Sequence, residues 1–183
     1  MHARLFAIPV ALVLFISCNS LDKTKNSSNT SAQKKILFRD SIPPASGYVN
    51  DYVSLFTPAQ KDTLSDIIKY FEQRTTGQIA IVIFDTTMLN RDSIKVLTQK
   101  VGNAWGVGQK EKNNGVVIGI CPGYRRMSIN VGTGIEKYLS EFEAHQIIDT
   151  AFIPEFRKNN FYEGTKKGLN TLSIFLGDKL NPG

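Results

Sequence analysis

Histidine and cysteine are scarce in this chain, with 2 of each in 183 residues. His2 stands at the start and His145 is alone in its segment, so no zinc cluster and no Ser/His/Asp arrangement is built from imidazoles. Cys18 and Cys121 are far apart, which excludes a Cys-x-x-Cys redox pair, and there is no Walker sequence. Long hydrophobic runs are lacking too. The apolar run Leu5 to Ile16 falls short of the ~20 residues that a spanning helix needs. Internal repeats are not apparent.

A net charge of +6 invites a nucleic-acid reading, but the charge is unevenly placed. Residues 1–35 hold 5 Lys and Arg against 1 Asp, leaving 17 basic against 15 acidic residues in the rest. The remainder interleaves both signs and shows no basic stripe or aromatic platform, which speaks against a nucleic-acid partner.

Residues 1–17 have a short basic start (His2, Arg4), the apolar run, and a small residue, Ser17, before Cys18. They read as a secretion signal. Phe15-Ile16-Ser17-Cys18 resembles a bacterial lipobox with Phe at its first position, which implies cleavage before Cys18 and acylation of that thiol; an ordinary signal peptide that happens to contain Cys is the alternative. The expected location is the lipid-anchored surface of a bacterial cell envelope, on its periplasmic or extracellular side. Residues 18–46 begin with a stretch rich in Ser, Thr, Asn and Lys, too poor in apolar groups to order itself, and so form a flexible tether whose lysines favour anionic lipid. Residues 47–177 are the expected folded domain and 178–183 a tail. Cys121 closes an apolar strand with no neighbouring His or cationic helix start to lower its pKa, so a buried inert thiol is expected.

Within the domain, Thr57-Pro58 reads as a capped helix start, followed by Leu64, Ile67, Ile68 and Phe71 on one face. Ile79 to Phe84 is a continuous apolar strand. A second helix is expected from about Asp92 to Trp105, with Ile94, Leu97, Val101 and Trp105 inward. Val116 to Cys121 and Arg126 to Val131 form a β-hairpin around Pro122-Gly123. Two more helices follow, one around Glu141 to Arg157 with Phe142, Ile147, Ile148 and Phe152, and one from Tyr162 to Leu176. The fold class is α/β: a single three-layer α/β/α sandwich over a small mixed sheet.

Glycines recur at both ends of the apolar runs between Trp105 and Glu136. Either they only make turns, or the backbone there lies close to something that a Cβ would block. The order of motifs is distinctive: Trp105-Gly106-Val107-Gly108, Asn113-Asn114-Gly115, the apolar strand, an Arg-rich turn, then Gly132-Thr133-Gly134-Ile135-Glu136. Together with Tyr48-Val49-Asn50-Asp51-Tyr52, Leu55-Phe56-Thr57-Pro58, Ile153-Pro154-Glu155-Phe156-Arg157 and Tyr162-Glu163-Gly164, they resemble the TPM domain family. That family includes bacterial envelope proteins and a thylakoid-lumen acid phosphatase. The resemblance implies a Rossmann-like sandwich, although Gly132-Thr133-Gly134 lacks the third glycine of a dinucleotide fingerprint. It also implies an acidic pocket for a divalent cation, Ca²⁺ or Mg²⁺, at the matching positions Asp51, Asn113, Asn114, Glu136 and Glu141. This chain has Asn113 where many members have Asp.

Those residues sit at element ends, where ligands of α/β sheets collect, and they offer the oxygens that hard cations want. The competing reading is structural: Asp51 caps the first helix, while Glu136 and Glu141 favour helix starts. Arg125 and Arg126 are candidates for a phosphate contact, or a solvated hairpin tip, and Lys110 and Lys112 are the other cations available to neutralise a transferring phosphoryl group. Two functions compete. The chain is either a non-catalytic envelope module that binds or assembles membrane protein complexes, or a metal-assisted acid phosphatase. The lipid anchor, the tether and the lack of a convincing nucleophile or base favour the module.

Overall fold

The structure, a computed structural model, describes residues 42–180; the signal segment, Cys18, most of the tether and residues 181–183 lie outside the described residues. Strand β1 (Val49–Asp51) leads into helix α1 (Pro58–Thr75). The helix begins where the sequence says it must: the Thr57 hydroxyl accepts from the Gln60 N–H at 3.3 Å, and the Gln60 side chain accepts from the Thr57 N–H at 2.9 Å. This reciprocal cap satisfies two otherwise orphaned donors, and Pro58 needs none. Thr76, with φ 61°, ends the helix, and Gly77 leads into β2 (Gln78–Ile83).

A short 3₁₀ turn, Arg91–Ser93, opens α2 (Ile94–Trp105), which stops at Gly106 with φ 62°. Strand β3 (Gly115–Cys121) turns through Pro122–Tyr124 and Arg125 into β4 (Arg126–Val131). The strands lie in the order β1-β2-β3-β4, the first three parallel and β4 antiparallel to β3. A single-turn helix α3 (Thr133–Glu136) follows, then α4 (Glu141–Ile147), a wider π turn at Ile148–Phe152, α5 (Ile153–Phe156), and α6 (Phe161–Leu180).

Alternation along the strands builds two cores. Ile79, Ile81, Ile83, Val116, Ile118 and Ile120 face α1 (Leu64, Ile68, Phe71) and α6 (Leu169, Leu172, Leu176). Val82, Phe84, Val117 and Cys121 face α2 through Ile94, Leu97 and Val101. The three-layer α/β/α sandwich follows directly. Ile42 packs against the second core, and next to it the Trp105 indole N–H donates to the Pro43 carbonyl at 2.6 Å.

Both crossovers, β1-α1-β2 and β2-α2-β3, step the same way across the sheet, yet their helices cover opposite faces. The two connections therefore have opposite hands, and one is left-handed against a preference of roughly 98 % for the right-handed form.

Sequence periodicity misses β1 and α3, since three and four residues are too few to show a period. The helix expected over Glu141 to Arg157 is interrupted by the π turn, because Pro154 has no N–H for the carbonyl four residues back and its ring crowds that carbonyl. Phe142, expected on the apolar face, is 71 % exposed. The last helix runs on to Leu180, past the expected end at Leu176.

A Cβ at Gly168 would overlap the ring of Phe152, which is fully buried, whereas a Cβ at Gly177 meets nothing within 4 Å. Gly168→Ala is expected to cost about 1–3 kcal/mol through overpacking. Gly177→Ala is expected to gain about 0.5–1 kcal/mol of helix propensity. Urea unfolding midpoints of the two variants, at unchanged slope, check both signs.

Candidate functional site

The glycine-rich motifs meet at the amino-terminal end of β3, where two loops are packed backbone on backbone. Gly108, at φ 107°, would place a Cβ 2.5 Å from the Gly115 nitrogen. A Cβ at Gly115 would overlap the Val107 carbonyl, one at Gly132 the Asn113 carbonyl, and one at Gly134 the Lys112 carbonyl. The Gly132 N–H donates to the Gly115 carbonyl at 2.8 Å and the Gly134 N–H to the Asn113 carbonyl at 3.1 Å. What lies close to these glycines is the chain itself.

Asn114 ties this contact to the sheet. It is 5 % exposed; its side-chain oxygen accepts from the Gln109 N–H at 2.8 Å, its amide donates to the Thr76 carbonyl at 2.9 Å, and its own carbonyl accepts from Gln78 N–H at 3.1 Å. Gln78 extends the network: its side-chain oxygen accepts from the Gly108 N–H at 2.8 Å, and its amide donates to Glu72 at 2.9 Å. The Tyr48 hydroxyl donates to the other Glu72 oxygen at 2.8 Å, which, with burial adding, raises the pKa of that phenol. Sequence reading singled out neither Glu72 nor Gln78, because nothing local marks two polar residues at a helix end and a strand start as partners.

The five residues expected to share a cation are not brought together. Asn113, exposed and at φ 46°, and Glu136, exposed at the end of α3, sit on the two touching loops. Asp51 lies at the carboxyl end of β1, opposite Ile83 and so level with Ile120 of β3, about 17 Å of strand away from Gly115. Its two oxygens accept from the Val53 and Phe56 N–H groups at 3.1 and 2.9 Å, in the turn before α1, so Asp51 holds that turn and does not cap the helix, whose cap is Thr57. Glu141 is ion-paired to Lys95 of α2 at 2.5 Å, and the hydrogen bond from Lys95, more than its charge, holds the carboxyl below the usual range. As one coordination sphere the five do not fit, since Asp51 and Asn114 have their oxygens engaged by the backbone and Glu141 is held by a lysine. Among the described residues no three His, Cys, Asp or Glu side chains converge on a metal-sized site.

Arg125 and Arg126 lie at the opposite end of β3. Arg125 takes the left-handed conformation at φ 51° in the turn, and Arg126 is 3.9 Å from Asp92. Cys121, fully buried, has its thiol pKa raised chiefly by burial and is inert, as its strand position suggests. His145 has its Nδ1 2.9 Å from the Glu141 carbonyl one turn earlier in α4.

The TPM domain family model matches residues 49–174, which spans every motif of the glycine contact. The chain belongs to the TPM domain family. Its fold is similar to the solution structure of the N-terminal domain of a Porphyromonas gingivalis protein (P.gingivalis), at 26 % identity and a TM-score of 0.66, covering 73 % of this chain and 83 % of that one. It is also similar to the N-terminal domain of the cg2496 protein of Corynebacterium glutamicum, at 16 % identity and TM-score 0.55 over 77 % of this chain and 84 % of that one. BA42 of the psychrophilic Bizionia argentinensis gives 20 % and 0.59 over 71 % and 87 %. No curated protein matches. The TPM domain here is thus the small mixed sheet described above, closed at one end by the glycine contact.

Asn114→Ala is expected to destabilise the domain by roughly 2 kcal/mol or more, since a buried N–H and a carbonyl lose their partners. Gly134→Ala is expected to lower the thermal midpoint as well, whereas Asn113→Gly, which suits the positive φ, changes stability by less than about 1 kcal/mol. Thermal unfolding by circular dichroism separates the three.

Proposed function

We propose that this chain is a membrane-anchored envelope lipoprotein whose TPM domain is a binding or assembly module for membrane protein complexes, with a lipid on Cys18 and a flexible tether supplying the anchor. The observation that carries the reading is the polarity of β3. Its amino-terminal end carries Asn113 and Glu136, and its carboxyl end carries Arg125 and Arg126, seven strand residues away. A metal-assisted phosphatase needs a cation and a phosphate-neutralising group on the same few atoms. Lys112 does lie at the Asn113 end, with its Nζ donating to the Thr76 hydroxyl at 3.0 Å, and this engagement together with the distance of the arginines supports the module over the enzyme. No helix among the described residues is long and apolar enough to cross a membrane, so the tether carries the anchoring role in this reading.

A divalent cation belongs to the proposal only at the Asn113 and Glu136 end, as a weakly held ion without Asp51 or Glu141. The purified chain is expected to hydrolyse aryl phosphates with Ca²⁺ or Mg²⁺ no faster than its Glu136→Gln variant. Robust, metal-dependent turnover that disappears with Glu136→Gln, at unchanged circular dichroism, replaces the module with the phosphatase.

Cys18→Ala is expected to move the domain from the membrane to the soluble fraction. Membrane retention of that variant, together with an N-terminal peptide of unlipidated mass in the parent chain, refutes the anchor.

A further inference from the structure

At the carboxyl end of the sheet, away from the glycine contact, a cavity of about 360 Å³ opens between the β3-β4 turn and the π turn with α5. Its apolar wall is Ile120, Met127, Ile153, Phe156 and Phe161. That wall is held in place. The Phe156 ring packs against Phe161 with centroids 5.1 Å apart, and Gly164 lets it lie so close that a Cβ there would stand 2.6 Å from the ring. The rim carries Arg125, from the turn, and Arg157, just past α5. Among the described residues neither has a carboxylate within ion-pair distance, while Arg126 is drawn towards Asp92. Asp149, on the π turn, is the one acid of the lining.

Two exposed guanidinium groups over an aromatic and aliphatic pocket suit one kind of ligand, an anion on an apolar body. The guanidinium fork matches a carboxylate, which binds it by paired, charge-assisted hydrogen bonds. At ~30 Å³ for each heavy atom with its hydrogens, the cavity admits roughly a dozen heavy atoms. Its place at strand ends, with loops converging from β3 and the last helices, is where α/β sheets collect ligands. We infer that this cavity binds a small organic carboxylate, its apolar body against Phe156, Phe161, Ile153 and Met127 and its carboxylate between Arg125 and Arg157. The site is independent of the lipid anchor and of any cation at the far end of the sheet.

The probe is 4-phenylbutyrate, titrated into the full chain while the methyl resonances of Met127 and Ile153 are followed by NMR. Isosteric 4-phenylbutylamine and 4-phenylbutanol separate charge from apolar contact. Saturable shifts of both methyls are expected with the carboxylate in the millimolar range or tighter, as suits a ligand of about a dozen heavy atoms. The amine and the alcohol are expected to bind at least tenfold more weakly. Arg157→Gln and Arg125→Asn, the latter compatible with positive φ, are each expected to weaken the carboxylate about fivefold, and Asp149→Asn to tighten it about threefold. Equal binding of the three probes, shifts confined to other methyls, absence of shifts, or displacement of the carboxylate by equimolar inorganic phosphate each overturns the inference. The comparison of probes on the parent chain holds even where a variant fails to fold.

Discussion

Contact between two stretches of bare backbone organises this domain. Residues 107–115 fold back on themselves and meet 132–134 so closely that side chains are sterically forbidden at Gly108 and Gly115 by the first contact and at Gly132 and Gly134 by the second. Glycine is a poor strand and helix former, and its conformational freedom in the unfolded chain is costly to lose. Here that cost is offset by backbone hydrogen bonds that close the amino-terminal end of the sheet, and by Asn114 and Gln78, which fasten the contact to α1 and β2. The register of β3 against both neighbours depends on this closure, because Gly115 is at once the first residue of the strand and a member of the knot.

That use of the glycines changes what the neighbouring polar residues are available to do. Asn114 and Asp51 belong to motifs with the residue types of a cation pocket, yet their side-chain oxygens accept from the backbone, and the sheet holds them at opposite ends. The arginines are separated from Glu136 by the length of β3. A domain built this way presents two distinct ends, one closed and hydrogen-bonded, the other open around an apolar cavity with free guanidinium groups. A binding module uses separate ends readily; a reaction that needs opposite charges on one substrate does not.

The elements themselves were largely legible in the residues. Thr57-Pro58 with Gln60 marks a helix start by local hydrogen-bond chemistry alone, and the Ile- and Val-rich runs of β2 and β3 announce strands buried on both faces. The hairpin at Pro122-Gly123 and the inert Cys121 follow from equally local reasoning. Short elements were not legible, and neither was the π turn, which is a compromise between Pro154 and the continuing helix. Nor was the exposure of Phe142, which depends on where α4 lies rather than on its spacing.

Family, fold class and the order of the longer elements are therefore contained in the sequence by itself, because capping, periodicity and glycine placement act over a few residues. Tertiary structure alone decided which ends of the strands face each other, the opposite hands of the two crossovers, and hence which of the candidate residues share a surface. A parallel strand gives no local sign of its partner's direction, and side chains 60 residues apart are neighbours or strangers according to that direction. Asp51 and Asn113 show the consequence: the family resemblance implies one pocket for them, and strand polarity places them at opposite ends of the sheet.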